Sequence, residues 1–169
     1  MASDQSHRRR RALTACCGGD TKEQDPMEQT EFKLSVVGLV TWRDTILVVR
    51  TGYGKELFGK NAFPGAYVRK SEDIEEALKN VLLHDVQLRV RVQEIVGITA
   101  RQRLRGGKTQ SICAVFLHAT PLNTKEMATS AKTHEFRWVP IATVLDELSD
   151  TARRWLPDPI IDFIEERMQ

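Results

Sequence analysis

Ile74, Ala77, Leu78, Val81 and Leu82 recur at i, i+3, i+4, i+7 and i+8 in a chain whose other apolar runs are strand-length. This one helical stripe constrains the fold more than any other feature. The spacing predicts an amphipathic helix from about Asp73 to His84, with Ser71 available to cap it and Glu72, Glu75 and Glu76 at the end where the helix dipole favours anions. A helix with one greasy face needs a sheet to cover that face, and strand patterns lie on both sides of it. Leu34 to Val40 and Thr45 to Val49, joined by Arg43-Asp44, read as a hairpin. Residues 52–65 hold Gly52, Gly54, Gly59, Pro64 and Gly65, a loop composition, and a short strand follows at Ala66 to Val68. Beyond the helix, Leu88 to Ala100 and Thr109 to Ala119 read as long strands around Arg105-Gly106-Gly107-Lys108, a second hairpin with a basic turn. A polar loop then leads to a short strand at Phe136 to Val139. Pro140 opens a helix over Ile141 to Leu148, and Pro159 to Met168 forms a last helix with Ile160, Ile161, Phe163 and Ile164 inward. Strands on both sides of a helix make a mixed α/β or α+β sandwich.

At 169 residues and 41% hydrophobic, the chain can bury one domain-sized core. No apolar run approaches the ~18 residues of a membrane-spanning helix, so no membrane partner is expected. Twenty-five Lys and Arg against 23 Asp and Glu leave a net charge of +2, so any basic site must be local. Cys16, Cys17 and Cys113 give neither a disulfide framework nor zinc spacing, and Cys113, inside Ser111 to Phe116, reads as a buried, inert thiol. A reducing compartment fits this usage, and the lack of an export signal points to the cytoplasm. Residues 1–30 carry Arg8 to Arg11 and Cys16-Cys17-Gly18-Gly19 without apolar periodicity, and are expected to be a disordered polar and basic tail before a domain at 31–169. A basic nuclear-type signal, a transit peptide, cysteine acylation and a plain solvated tail all remain open for it. Met27 precedes the organised sequence, so translation starting there is a further expectation.

The order of these elements, with Pro64-Gly65, Glu72 before the helix and Glu135-Phe-Arg-Trp138-Val-Pro late in the chain, resembles the Nudix hydrolase family over about residues 32–168. The resemblance implies an α/β class fold, a single-domain α/β/α sandwich with a mixed sheet, and makes a homodimer an expectation. Active members of that family cleave nucleoside diphosphates linked to another group and use magnesium or manganese. Their box reads G-x5-E-x7-R-E-U-x-E-E-x-G-U, with U apolar. Pinned on Glu72, it puts Ala66 at the first glycine, Asn80 at the arginine, Val81 at the next glutamate, His84 and Asp85 at the glutamate pair and Gln87 at the last glycine. Glu72, Leu82 and Leu88 keep the pattern.

Positions 81, 84 and 85 stack on one helical face, where three carboxylates would make an oxygen-rich cage for a hard divalent cation. Here that face carries Val81, His84 and Asp85. Valine donates nothing to a metal, a neutral imidazole suits Mg²⁺ poorly, and Asn80 cannot give the bidentate, charge-assisted contact of an arginine. Glu72 and Glu76 at i, i+4 could share a cation on another face, but acids in a first turn also serve the dipole alone. His84 near a helix end has an equally plain reading, a carbonyl or dipole contact.

Arg101, Arg103, Arg105 and Lys108 fall within eight residues with no acid between them, the three arginines on one side of a strand by its period of two. They form either a phosphate-binding row, for a nucleotide diphosphate or an RNA backbone, or a charged edge that resists strand pairing. Tyr53 and Phe58, in the glycine loop, are candidates to stack on a base, whereas Trp42, Trp138 and Trp155 read as core or rim packing. Two functions follow. In the first, the chain is a non-hydrolytic Nudix-like module that binds a nucleotide-like or phosphate-bearing ligand, or a protein partner, with no cofactor. In the second, it is a divergent pyrophosphohydrolase that uses Mg²⁺ or Mn²⁺ at Glu72, Asp85 and His84, with Glu135 assisting.

Overall fold

The structure, a computed structural model, describes residues 31–51, 59–130 and 133–168. The 1–30 segment with Met27, and Tyr53 and Phe58 in the glycine loop, lie outside the described residues. β1 (Glu31–Trp42) and β2 (Thr45–Thr51) turn at Arg43-Asp44, where Arg43 takes a φ of 56°. The two share only the rungs Thr41 with Ile46 and Trp42 with Thr45, and then diverge. Short strands β3 (Asn61–Ala62) and β4 (Gly65–Tyr67) return along β2 and β1 respectively, both antiparallel. After helix α1 (Ile74–Val86), β5 (Val90–Arg105) and β6 (Lys108–Pro121) form the second hairpin. β6 pairs with β1 in parallel, from Glu31 opposite Gln110 to Val40 opposite Ala119. β7 (Thr133–Pro140) adds to β2. The order is β3-β2-β1-β6-β5, with β4 on β1 and β7 on β2.

Both faces of this mixed sheet are covered. On one, Val36, Val40, Leu47, Val49, Val115 and Leu117 meet Ala77, Leu78, Leu82 and Val86 of α1. On the other, Leu39, Ile46, Val48, Ala114 and Phe116 meet a 3-10 turn (Ile141–Thr143), α2 (Val144–Glu147), α3 (Asp150–Arg153) and α4 (Asp158–Glu166). β1, β2 and β6 are thus buried twice, which is why their sequences read as unbroken apolar runs rather than alternations. This is the expected single-domain α/β/α sandwich.

Several details depart from expectation. The cap of α1 is Asp73, not Ser71: Asp73 Oδ1 accepts from the Glu75 N–H at 2.8 Å and the Glu76 N–H at 3.4 Å, while Ser71 sits in the preceding turn at φ 66°. The helix expected over 141–148 begins as the 3-10 turn. β5 runs on through its arginines to the Gly-Gly turn, and Cys113 and Ile161 are half-buried rather than buried.

α1 ends at Gln87 in the left-handed region, φ 55°, where its N–H reaches the Leu83 carbonyl and that of Leu88 the Leu82 carbonyl, each at 3.1 Å. A residue with a Cβ is strained in this conformation and glycine is not. At Gly65 the demand is spatial, because a Cβ there would lie 2.5 Å from the Val36 carbonyl oxygen across the β1–β4 ladder. Gln87→Gly should therefore raise the free energy of unfolding by about 1 kcal/mol, and Gly65→Ala should lower it by about 1–3 kcal/mol. Urea titrations should show the two midpoints moving in opposite directions at unchanged slope.

Candidate functional site

At the start of α1 the acidic residues are engaged locally. Glu72 accepts from the Arg69 backbone N–H at 3.0 Å through Oε2 and from the Asn80 side-chain amide at 3.3 Å through Oε1. The Arg69 N–H and, after it, the Asn80 amide hold this carboxyl below its ordinary range. Asn80, at the position of the box arginine, thus makes a single neutral contact to Glu72 in place of a charged fork. Lys79 pairs with Glu76 at 2.8 Å and Glu75 at 3.8 Å on the solvent side of the helix.

The other end of α1 is closed. Val81 is half-buried against the α1-side core, His84 is exposed, and Asp85 is 9% exposed. The segment 122–130 folds back over this end: the Ala128 N–H donates to the Val86 carbonyl at 3.1 Å and the Ser130 N–H to the Asp85 carbonyl at 3.0 Å, while Met127 packs into the core. Asn123 clamps the turn beneath, accepting from the Arg89 N–H at 2.7 Å and donating to the Gln87 carbonyl at 3.3 Å. Nothing in the sequence singles out Asn123 from other loop polar residues. Carbonyls that a helix end leaves without partners are satisfied here by a loop. Among the described residues, no three His, Cys, Asp or Glu side chains come together as a group able to hold a metal ion.

Glu135 is not near these residues in the layering. Phe136 and Trp138 pack on the α1 side, so their strand neighbours Glu135 and Arg137 belong to the opposite face of β7. Glu135 there bridges Arg50 at 3.7 Å and Arg137 at 3.5 Å, and Arg137 continues to Glu147 at 3.1 Å. At the α1-side rim, Trp42 and Trp138 meet at 5.6 Å with Arg43 over the Trp42 ring at 4.9 Å.

The basic row also lies away from α1. Arg101 is opposite Ile112 on β6, and its guanidinium sits 5.3 Å from the centre of the Trp155 ring, between α3 and α4. Arg103 and Arg105 follow in the same alternation, opposite Gln110 and Lys108. The structure therefore brings Arg101 together with Trp155, which sequence reasoning had placed in the core or rim, and puts Arg101 on the face of the sheet opposite α1 with its Glu72, His84 and Asp85.

A titratable cluster around half-buried His118 stands near the end of α4. His118 Nε2 is 2.8 Å from Thr41 Oγ1, while Nδ1, out of reach of solvent and 3.5 Å from Glu94, has no hydrogen-bond partner among the described residues. The ring packs edge-on against Phe163 at 5.1 Å, and Arg167 lies over the same phenyl ring, 3.9 Å from Glu94. Burial, and then the Arg167 charge, push the His118 pKa below its ordinary 6.5, against the opposing pull of Glu94. The native state therefore binds fewer protons here than the unfolded chain. The stability that neutral His118 contributes is complete above about pH 6.5 and is lost as pH falls from there through the lower folded value. Unfolding midpoints measured from pH 7.5 to pH 5 should fall for the parent, and His118→Gln should flatten that part of the profile.

The described residues include no helix long and apolar enough to cross a membrane. No protein-family model matches the sequence, and no curated protein matches it. Solved structures match over most of the chain. A Nudix hydrolase from Nitrosomonas europaea superposes with a TM-score of 0.64 at 17% identity, covering 82% of this chain and 73% of that one. The MutT protein of Methanosarcina mazei Go1 gives 0.60 at 19% identity, covering 83% and 95%. A C. elegans Ap4A hydrolase gives 0.55 at 12% identity, covering 81% and 99%. With α1 laid on a mixed sheet between two hairpins, and with such neighbours, the chain has the Nudix fold.

Proposed function

We propose that this chain is a Nudix-fold module with a degenerate box, one that binds a nucleotide-like or phosphate-bearing ligand without hydrolysing it. The observation that carries this reading is the C-terminal half of α1. Its box positions hold a half-buried valine, an exposed histidine and a buried aspartate beneath the 122–130 segment. Mg²⁺ needs several oxygen ligands at strict octahedral geometry with room for its waters, and these residues do not fit it. Glu72, the remaining acid of the pattern, accepts from the Arg69 amide and Asn80, away from Val81, His84 and Asp85 at the other end of the helix. Without a bound cation the leaving phosphate has no clamp and water has no activator. The ligand class rests on the fold neighbours, one of which is named for the dinucleotide polyphosphate it hydrolyses.

Calorimetric titration with Mn²⁺ and Mg²⁺, alongside phosphate-release assays on nucleoside diphosphate derivatives including ADP-ribose, should give neither cation binding nor turnover. Equilibrium dialysis should show nucleotide retained equally with and without EDTA. Ordinary enzymatic turnover that disappears in Asp85→Asn would overturn the reading in favour of a divergent hydrolase. Val81→Glu with His84→Glu should create measurable Mn²⁺ affinity, because it restores two of the carboxylates.

A further inference from the structure

Five of the basic side chains among the described residues are answered by an acid. Lys33 pairs with Glu31, Lys79 with Glu75 and Glu76, Arg50 with Glu135, Arg137 with Glu135 and Glu147, and Arg167 with Glu94. At the end of the β5–β6 hairpin and the α3 end beside it, four basic side chains without such a partner fall in neighbouring elements. Arg101, Lys108, Arg153 and Arg154 are exposed, and among the described residues no carboxylate lies within ion-pair distance of them. Of the acids of α3 and α4, Asp150 and Asp158 stand in first turns, where the helix dipole favours them, and Asp162, Glu165 and Glu166 lie further along α4.

Arg105 pairs with Lys108 at the last rung of the β5–β6 ladder. The hairpin closes with the tightest turn available, Gly106-Gly107, both at positive φ (59° and 76°). Near its tip Leu104 is 76% exposed. Beside the row, Trp155 is half-buried with the Arg101 guanidinium over its ring. An arginine held on an indole is a planar cation backed by an aromatic surface, and a base can stack on such a platform while its phosphates meet the neighbouring cations.

We infer that the β5–β6 hairpin and the α3–α4 junction together form a docking surface for a single-stranded polynucleotide. Arginines two apart on a strand repeat at about 6.7 Å, a spacing that follows the phosphates of an extended single strand. Charge alone would serve an acidic peptide equally well; the Trp155–Arg101 platform favours a ligand with flat bases. The surface lies on the face opposite α1, so the inference stands whether or not α1 turns over a substrate.

Fluorescence anisotropy of the full chain with labelled 20-nucleotide oligo(U) and oligo(dT) tests this against a duplex and against polyglutamate of equal charge. With about four cations contacting phosphates, single-strand affinity should drop roughly fiftyfold between 50 and 200 mM salt. Arg101→Ala with Lys108→Ala, shown folded by circular dichroism, should lose about tenfold in affinity at low salt and have a shallower salt slope by about 1.4. Oligonucleotide should quench tryptophan fluorescence in the parent and much less in Trp155→Phe. Binding of either single strand tenfold or more above both duplex and polyglutamate supports the inference, and any preference between the two identifies the sugar. Equal binding of polyglutamate or duplex, or no binding at 50 mM salt, overturns it.

Discussion

Parallel pairing of β1 with β6, from Glu31 opposite Gln110 to Val40 opposite Ala119, is the constraint on which the rest of the molecule depends. A parallel pair in the middle of a sheet offers apolar side chains to both faces and must be covered on both. The chain meets that demand with α1 on one side and α2, α3 and α4 on the other. Register then decides where every chemical group goes. Val115 and Leu117 face α1 while Ala114 and Phe116 face α4, and a slip of one residue in β6 would exchange the two sets. The same alternation, passed across the ladder to β5, puts Arg101 beside Trp155 and not beside α1.

Two surfaces of different chemistry result, one on each face. The end of α1 is quiet: its last carbonyls are satisfied by Ala128 and Ser130, Asn123 clamps the following turn, and Asp85 is buried. The β5 edge is open and cationic. An exposed edge strand invites pairing with other chains, and a row of charge discourages it. The charge that would suit a polyanion therefore also keeps this edge single, so edge protection by itself accounts for arginines on β5. It does not account for Arg153, Arg154 and Trp155, which lie off the strand. Their gathering at the same edge is what separates a binding surface from a guarded one.

The fold was legible because its signals are local and periodic. The stripe from Ile74 to Leu82 became the buried side of α1, and the apolar runs Leu34 to Val40 and Thr45 to Val49 became β1 and β2. Boundaries were less so: β5 continues through arginines with no apolar pattern because the Gly-Gly turn and the β6 ladder carry it. The candidate site was legible only as a set of substitutions. That Glu135 belongs to an arginine network on the far face follows from β7 register, which no short stretch of sequence specifies. That residues 122–130 fold onto α1 depends on backbone hydrogen bonds, which any side chains can make. That Arg101 meets Trp155, more than fifty residues on, depends on how α4 lies along β5, and a single chain carries no trace of such a contact.

Where a chain departs from its own local rules, the departure has either a compensation or a cost. Gln87 in a left-handed turn is a cost: the backbone there must close α1 and lead into β5, and among the described residues the Gln87 side chain makes no hydrogen bond that would repay the strain. Asn80 gives Glu72 a neutral partner, weaker than a charged one would be.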